Sequence, residues 1–262
     1  MEILLAIVIV TVIGLIGAVV LVVAAKFLSV PQDPRIDQVA ACLPGANCGA
    51  CGYAGCADYA RAIVEQGAPV NKCVPGGAKA ADDCAAVMGV EAGATAVVKA
   101  VVGCQGKPGV CKPSFTYEGV SSCAAAAALH GGPKACTFGC LGLGDCVKVC
   151  KFDALHIVDG VAVVDPEKCT GCGACTKVCP HNVIHIQGIQ PKKQPRVLCN
   201  NNEKGAAVMK ECATGCIGCM KCQKTCEQEA IKVENFLAHI DYSKCTGCGA
   251  CVEACPKKVI VF

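Results

Sequence analysis

Hydrophobic residues are distributed very unevenly along the chain. Residues 3–25 (ILLAIVIVTVIGLIGAVVLVVAA) form an uninterrupted stretch of 23 residues without a charge, which is long enough to cross a bilayer as a helix. The stretch follows Met-Glu and precedes the basic residues Lys26 and Arg35, unlike a cleaved signal peptide. Basic residues on the carboxyl side place that side in the cytoplasm. The pattern therefore predicts a single-pass membrane anchor over residues 1–28.

Shorter hydrophobic patterns follow in the rest of the chain. A helix predicted over residues 57–65 places four apolar residues on one face, namely Tyr59, Ala60, Ile63 and Val64. Another short helix is predicted over residues 82–88, followed by a strand. Apolar runs rich in β-branched residues predict further strands, at residues 154–158, 160–165, 183–186, 230–233, 238–241 and 259–262. This order of elements indicates an α+β fold with a βαβ-type arrangement.

The cysteine content is unusually high, with 27 cysteines in 262 residues. Such a level suggests a disulfide scaffold, but the chain is long, the cysteine count is odd, and the spacings are those of metal ligands. Reduced thiols predict a cytosolic location for everything after the first helix. The formal net charge is +3 and the chain has no basic run, so a nucleic-acid partner is not expected.

Two nearly identical segments carry the densest cysteine pattern, KCTGCGACTKVCP at 168–180 and KCTGCGACVEACP at 244–256. In each, three thiols lie too close in sequence for comfortable mutual disulfides. The pattern is the C-x₂-C-x₂-C-x₃-C-P run of bacterial ferredoxins, in which the fourth thiolate binds the other cluster of a pair. Zinc sites also use C-x₂-C pairs, but they need neither the third closely spaced cysteine nor the final Cys-Pro.

A third cysteine pattern lies nearer the amino terminus. The segment LPGANCGACGYAGCADYA and the later NKCVPGG give the spacing C-x₂-C-x₄-C-x₁₆-C, and the glycines allow backbone amides to approach a cluster. The pattern predicts a compact module with one [4Fe–4S] cluster, held by Cys48, Cys51, Cys56 and Cys73. Cys42 and Cys84 fit no ligand spacing and are interpreted as packing residues.

The carboxyl-terminal part of the chain is an internal duplication. Superposing VVGCQGK…KACTFGCLGLGDCVKVC on RVLCNNN…KECATGCIGCMKCQKTC pairs Cys104 with Cys199, Cys136 with Cys212, Cys140 with Cys216, Cys146 with Cys222 and Cys150 with Cys226. Leu143 stands where the second copy has Cys219, so the first copy is one thiol short. Cys136 is the predicted substitute for the missing ligand.

Cross-ligation between the cysteine runs assigns four clusters to the duplicated part. The predicted sets are Cys136, Cys140, Cys146 and Cys179; Cys150, Cys169, Cys172 and Cys175; Cys216, Cys219, Cys222 and Cys255; and Cys226, Cys245, Cys248 and Cys251. With the amino-terminal module, the chain is expected to bind five [4Fe–4S] clusters, or about twenty iron atoms. The remaining thiols either hold a sixth cluster or are simply buried, and they are Cys104, Cys111, Cys123, Cys199 and Cys212.

The expected organisation is an N-terminal transmembrane helix, a small single-cluster module and two ferredoxin-like 2[4Fe–4S] domains. The predicted boundaries are 1–28 for the anchor, 29–76 for the module, 77–100 for a linker helix and strand, and 101–190 and 191–262 for the two domains. The sequence has no P-loop, dinucleotide fingerprint or histidine-rich metal site. We therefore expect no catalytic residue, and we assign flavin or nicotinamide chemistry to partner chains.

The uncharged first helix, the LPGANCGACGYAGCADYA module, GCLGLGDCVKVC and the KCTGCGAC repeats together resemble the B subunits of Rnf complexes over essentially the whole chain. Rnf complexes are membrane ferredoxin:NAD⁺ oxidoreductases that couple electron flow to Na⁺ or H⁺ translocation. The resemblance implies a subunit that takes electrons from reduced ferredoxin and passes them to flavin- and NAD-binding chains. It also implies a single-cluster module near the membrane, with the second ferredoxin-like domain as the outer docking end on the cytoplasmic side.

Two other classes of protein fit parts of the sequence. A polyferredoxin-type subunit of a different membrane or corrinoid-linked complex would use the same motifs, although this chain has no room for a cobamide-binding barrel. An iron–sulfur sensor or structural protein would not need several clusters beside a bilayer helix. Reversible reduction of the clusters at low potential distinguishes electron transfer from a purely structural role.

Overall fold

The computed structural model describes residues 2–27, 33–95, 97–188 and 194–262. The predicted boundary at residues 190 and 191 lies outside these ranges, as do residues 29–32 at the start of the predicted module. Helix α1 runs over Glu2–Phe27, and its described side chains, at residue 7 and residues 9–24, are exposed except for the half-exposed Ala24. Within the described ranges, no helix is long and apolar enough to cross a membrane. The transmembrane helix predicted from the sequence is therefore not supported by the structure.

The amino-terminal module is a unit of three helices. They are α2 (Arg35–Cys42), α3 (Cys56–Gln66) and α4 (Gly77–Met88). Their shared core includes the buried side chains of Ile36, Val39, Tyr59, Ile63 and Cys84. The Tyr59 hydroxyl donates to the Pro69 carbonyl (2.6 Å) and accepts from the Lys72 amide (3.1 Å). These bonds hold the segment that leads to Cys73 against the same core as the loop that carries Cys48 and Cys51.

The duplicated part repeats one arrangement of short strands and helices. The first copy contains β1 (Val98–Val102), α5 (Cys123–Ala127), α6 (Asp145–Lys148), β2 (Leu155–Val158), β3 (Val161–Val164), α7 (Ala174–Val178) and β4 (Ile184–Gly188). The second copy contains β5 (Arg196–Val197), α8 (Gly205–Glu211), α9 (Lys221–Thr225), β6 (Ile231–Glu234), β7 (Leu237–Ile240), α10 (Ala250–Ala254) and β8 (Ile260–Val261). In each copy the outer strands pair, β1 with β4 and β5 with β8, and the inner strands form a hairpin.

All four strand pairs are antiparallel, which differs from the predicted βαβ-type arrangement. The β2–β3 hairpin turns through Asp159 and Gly160, and the β6–β7 hairpin turns through Asn235 and Phe236, all four with positive φ. Two-residue turns of this kind match the twist of antiparallel strands. Parallel neighbours would instead need a crossover of about a dozen residues or more, which such short connections cannot provide.

The two copies contact each other through the loop that follows β1. The Lys112 amide donates to the Glu211 carbonyl (2.9 Å), and the Ala213 amide donates to the Val110 carbonyl (2.9 Å). Between these bonds, Cys111 and Cys212 form an antiparallel bridge. The end of α8 therefore lies against the first copy, and cysteines from both copies face a common space.

Candidate metal centres

In the second copy, a pocket with about 360 Å³ of free space lies beside α9 and the β6–β7 hairpin. Its cysteines are Cys216, Cys219, Cys222 and Cys255, the set expected from the sequence. The Val259 amide donates to Cys255 Sγ (3.4 Å), and Cys222 is buried among the other three thiols. The residue after Cys255 is Pro256, so the run ends as in a ferredoxin.

The corresponding pocket of the first copy has about 330 Å³ of free space. Its cysteines are Cys123, Cys140, Cys146 and Cys179. Cys136, which the sequence pattern placed in this set, does not line this pocket, whereas Cys123 at the start of α5 does. The sequence pattern left Cys123 among the unassigned thiols, because it lies in an alanine-rich segment without ligand spacing. The missing thiol at Leu143 was the signal that a distant cysteine could replace it.

The Asp145 carboxylate holds helix α5 next to this pocket. Asp145 Oδ2 accepts hydrogen bonds from the Ser122 hydroxyl (2.9 Å) and the Ala124 amide (3.1 Å). Ser122 also caps α5, accepting from the Ala125 amide. Because Asp145 immediately precedes Cys146, these bonds fix Cys123 relative to the pocket's own cysteine run.

A third pocket, which we call the inter-copy pocket, lies between the two copies and has about 400 Å³ of free space. It is lined by Cys104, Cys111, Cys136, Cys199 and Cys212. Burial raises the pKa of the Cys199 thiol to about 11. A hydrogen bond from Cys111 lowers the pKa of Cys212 to about 5 and raises that of Cys111. Cys111 and Cys212 therefore interact directly where the two copies meet.

The other predicted sets also lie together in the structure. Cys175 interacts electrostatically with Cys172, Cys169 and Cys150, Cys251 with Cys245, Cys248 and Cys226, and Cys73 with Cys56, Cys51 and Cys48. Burial raises the pKa of Cys175 and of Cys251 to about 11. Since a metal ligand must be a thiolate, metal binding at these sites has to release protons.

The donor atoms around these thiols fit iron–sulfur clusters. Backbone amides donate to the sulfurs, from Ala100 to Cys169 (3.4 Å), from Ala154 to Cys150 (3.4 Å) and from Ala162 to Cys140 (3.3 Å). Such bonds stabilise thiolate ligands and adjust the potential of a cluster. In the part of the chain that the structure describes, no group of three or more His, Cys, Asp or Glu side chains is arranged to hold a single metal ion.

The fold and these thiol sets define a ferredoxin-type iron–sulfur protein. Family models agree: residues 43–75 match an Fe-S cluster family, residues 162–185 a 4Fe-4S binding domain, and residues 215–259 a 4Fe-4S dicluster domain. The chain is 48% identical to the B subunit of the ion-translocating oxidoreductase complex of Methanosarcina acetivorans, over 94% of this chain and 93% of that protein.

Two further relatives extend the comparison. One is the B subunit of the Na⁺-translocating ferredoxin:NAD⁺ oxidoreductase complex of Acetobacterium woodii, at 43% identity over 94% of this chain and 74% of that protein. The other is the B subunit of the proton-translocating ferredoxin:NAD⁺ oxidoreductase complex of Clostridium ljungdahlii, at 42% identity over 97% of this chain and 90% of that protein. The chain belongs to the family of Rnf complex B subunits and is an iron–sulfur electron-transfer subunit, as the sequence resemblance predicted.

Lys134 places a positive charge between the first-copy pocket and the inter-copy pocket. Its ammonium group donates to the carbonyls of Gly106 (2.8 Å), Cys140 (2.6 Å) and Gly160 (2.9 Å). The three carbonyls come from three separate loops, and Cys140 is itself one of the pocket's thiols. Lys134 therefore joins the loops and also counters negative charge next to Cys140.

Replacing Lys134 with methionine is expected to lower the free energy of unfolding by about 2–4 kcal/mol, because three partly buried carbonyls lose their donor. The reduction potential of a cluster held by Cys140 should also fall. A nearby cation favours the reduced, more negative state of a cluster, and the variant removes that cation. Thermal unfolding and a redox titration followed by electron paramagnetic resonance measure the two effects. As a control, Lys107→Met removes only an exposed ion pair with Asp159 (3.6 Å) and should change stability by less than about 0.5 kcal/mol.

Proposed function

We propose that this chain receives electrons from reduced ferredoxin at its second copy and passes them to the flavin- and NAD-binding subunits of a membrane-bound ferredoxin:NAD⁺ oxidoreductase. Bound [4Fe–4S] clusters supply one-electron redox chemistry, and the protein positions them and sets their surroundings. The observation that supports the proposal is the order of the thiol sets. They run from solvent-exposed cysteines in the second copy to the amino-terminal module that follows α1 in the chain.

The outer end of this series lies in the second copy. Among the cysteines that the structure describes, Cys219 and Cys248 are the exposed ones, and the others are buried or half-buried. Each has an exposed lysine close to it in sequence, since Lys221 follows Cys219 and Lys244 precedes Cys248. We call these two lysines the rim. Positive charge beside exposed cluster ligands suits an acidic redox partner such as ferredoxin, because complementary charge steers the encounter.

The inner end of the series meets the amino-terminal module through Lys151. The Lys151 ammonium donates to the carbonyls of Ala46 (2.9 Å) and Asn47 (3.2 Å). Lys151 directly follows Cys150, and Asn47 directly precedes Cys48, so two predicted cluster sets are adjacent. A typical ferredoxin run has proline at the position of Lys151, and proline could not make these bonds.

We further propose that α1 holds the chain in the membrane as a single pass, with the cluster-binding part on the cytoplasmic side. The support is the uncharged stretch of residues 3–25 and the apolar side chains that α1 leaves exposed, since large apolar surfaces call for lipid or protein cover. The full chain should stay in the membrane fraction after alkaline carbonate extraction. Release into the supernatant would contradict this part of the proposal.

The electron-accepting role is tested with the full chain in detergent, loaded with clusters and kept free of oxygen. Mixing with chemically reduced ferredoxin should bleach the cluster absorbance within the stopped-flow time range. Charge reversal of the rim, Lys221→Glu with Lys244→Glu, should slow this reaction about tenfold or more at low salt, with a smaller effect at high salt.

The matched control reverses two exposed lysines outside the rim, Lys79→Glu with Lys107→Glu, and should leave the rate within about twofold of the unmodified chain. Dithionite must reduce all variants equally, which shows that the clusters are intact. If ferredoxin fails to bleach a chain that dithionite reduces, another donor feeds this protein and the proposal is wrong.

A further inference from the structure

The two copies surround equivalent cysteine sets with different charges. The set of the first copy, which we call the inner set, is Cys150, Cys169, Cys172 and Cys175. The set of the second copy, the outer set, is Cys226, Cys245, Cys248 and Cys251. The loops follow the same backbone course, since the Cys169 amide donates to the Asp165 carbonyl (3.0 Å). The Cys245 amide donates in the same way to the Asp241 carbonyl (3.1 Å).

The strands beside these loops are equivalent too. Cys104 and Cys199 pair in the duplication, and the residue before each bonds to the strand segment opposite. In the first copy this amide donates to the Val183 carbonyl (2.7 Å), just before β4. In the second copy it donates to the Val259 carbonyl (2.9 Å), just before β8. Residues at equal distances before the two cysteines therefore occupy the same strand position.

A lysine at the inner set is replaced by a neutral residue at the outer set. Lys99, in β1, is partly buried, and its ammonium group donates to the Cys169 carbonyl. The residue at the same strand position of the second copy is Gln194, which is buried and uncharged. This position therefore places a positive charge against the inner set and no charge against the outer set.

The next strand position changes a hydrogen bond to sulfur. The Ala100 amide donates to Cys169 Sγ (3.4 Å). Its counterpart Pro195 has no N–H to donate. Pro195 lies against the equivalent loop, because its carbonyl accepts from the hydroxyl of Tyr242 (3.1 Å), three residues before Cys245. The outer set therefore cannot receive the N–H···S bond that the inner set has.

A third position reverses its charge between the copies. Lys151 directly follows Cys150 of the inner set and is held by carbonyls of the amino-terminal module. Glu227 directly follows Cys226 of the outer set and is exposed. Together with the strand position, the inner set has two positive charges, whereas the outer set has one negative charge.

The first-copy pocket shows the same bias. Lys134, two residues before Cys136, turns inward and donates to the Cys140 carbonyl (2.6 Å). Its counterpart two residues before Cys212 is Lys210, which is exposed. The additional positive charge near the first copy's thiols is therefore not confined to the inner set.

These differences all favour an added electron at the inner set. Positive charge and N–H donation to sulfur both stabilise the reduced, more negative form of a cluster. The exposure of Cys248 acts in the opposite direction, because water also stabilises the reduced form. Water reaches one of four thiols in this way, whereas the two sets differ by three unit charges and one hydrogen bond. The inner set is therefore the better electron acceptor.

We propose that Lys99, the Ala100 amide and Lys151 give the inner set a higher reduction potential than the outer set. Electron transfer from the second copy to the first is then downhill and leads towards the amino-terminal module. One electron leaves the outer set, which is oxidised, and one electron reaches the inner set, which is reduced; no proton or atom is transferred. The inference deepens the proposed function and rests on its placement of clusters at these two thiol sets.

Reciprocal exchange at the first strand position tests the inference. The full-length chain in detergent, loaded anaerobically with iron and sulfide, is titrated with chemical mediators and followed by electron paramagnetic resonance. Lys99→Gln should lower the reduced-to-oxidised ratio of one site about tenfold at fixed potential, which is a downward shift of about 59 mV for a one-electron couple. Gln194→Lys should raise the ratio of a different site by a similar factor.

Ligand variants assign each shift to its set, and charge variants serve as controls. Cys172→Ala should lose about four iron atoms and the titration step that Lys99→Gln lowers. Cys248→Ala should lose as many and the step that Gln194→Lys raises. Lys99→Arg keeps the charge and should keep the potential. Lys107→Gln removes an exposed charge of the same copy and should leave every ratio within about twofold.

The inference is wrong if either exchange variant, once folded and fully loaded, leaves every step in place, or if Lys99→Arg shifts as far as Lys99→Gln. It is also wrong if the step lost in Cys172→Ala has a lower potential than the step lost in Cys248→Ala. The last comparison remains decisive if Lys99→Gln does not fold.

The titration is independent of the natural electron donor, because mediators deliver the electrons. A chain that shows the expected order of potentials but is not reduced by ferredoxin would refute the proposed donor alone. A chain that ferredoxin reduces but in which the order is reversed would refute this inference alone. If neither alanine variant loses iron, the two thiol sets hold no clusters, and the inference and the proposed relay are both wrong.

Discussion

The Cys123→Ser variant is expected to lose one cluster, or about four iron atoms per chain, and with it the connection between the two copies and the amino-terminal module. The reason is geometric, since Cys123 completes the first-copy pocket with Cys140, Cys146 and Cys179. The sequence alone favoured Cys136 for this role, and with Cys123 as a simply buried thiol that interpretation predicts no iron loss from Cys123→Ser. Iron analysis of the purified chain therefore separates the two assignments.

A double variant makes the comparison sharper. If Cys123 and Cys136 serve different pockets, Cys123→Ser with Cys136→Ser loses about eight iron atoms, the sum of the two single losses. If both thiols serve one pocket, the double variant loses only about four. Cys42→Ser is the matched control, because Cys42 packs against the core of the amino-terminal module and its replacement should leave the iron content unchanged.

The Gly171→Ala variant is expected to disrupt the loop that carries Cys169 and Cys172. Gly171 has φ +73°, and a Cβ there would lie 2.3 Å from the Val98 carbonyl oxygen in β1. A non-glycine residue at such a φ costs about 1–2 kcal/mol, and overlap with backbone adds about 1–3 kcal/mol. We expect the free energy of unfolding to fall by about 2–5 kcal/mol and the loop's cluster to be lost.

Gly173→Ala in the same loop separates backbone strain from overlap. Gly173 has φ +75°, but a Cβ there would meet only the Thr176 hydroxyl oxygen, at 3.8 Å. Its replacement should cost only the strain of about 1–2 kcal/mol and retain all the iron. Thermal unfolding and iron analysis of both variants measure the difference, and equal losses in the two would show that overlap with β1 is not the cause.

Sequence patterns were sufficient to predict those features whose residues lie close together in the chain. The helix predicted at residues 57–65 is α3, and its predicted apolar face supplies the buried Tyr59 and Ile63. The inner strands were predictable from their β-branched runs, and the Asp159-Gly160 pair marks a hairpin turn. The cysteine runs were recognisable because ligands from one loop must keep a fixed spacing.

Contacts between distant segments were not predictable in this way. Cys123 is held at its pocket by the bonds from Asp145 that join α5 to α6, and no spacing in the sequence links these two segments. Lys134 and Lys151 act through backbone carbonyls, which every residue possesses, so the sequence contains no sign of their partners. The antiparallel pairing of β1 with β4 depends on the return path of the whole first copy, which a single sequence does not reveal.

The contact between the copies also sets an order for the maturation of the chain. Cys104, Cys111 and Cys136 are synthesised well before Cys199 and Cys212, which complete the inter-copy pocket. At about 5–20 residues per second, the ribosome leaves the first copy several seconds without its partner surface. During that time, half of the pocket faces solvent with three thiols open to oxidation. Biogenesis of this protein therefore depends on reducing conditions from the first stages of translation, before any cluster can protect these cysteines.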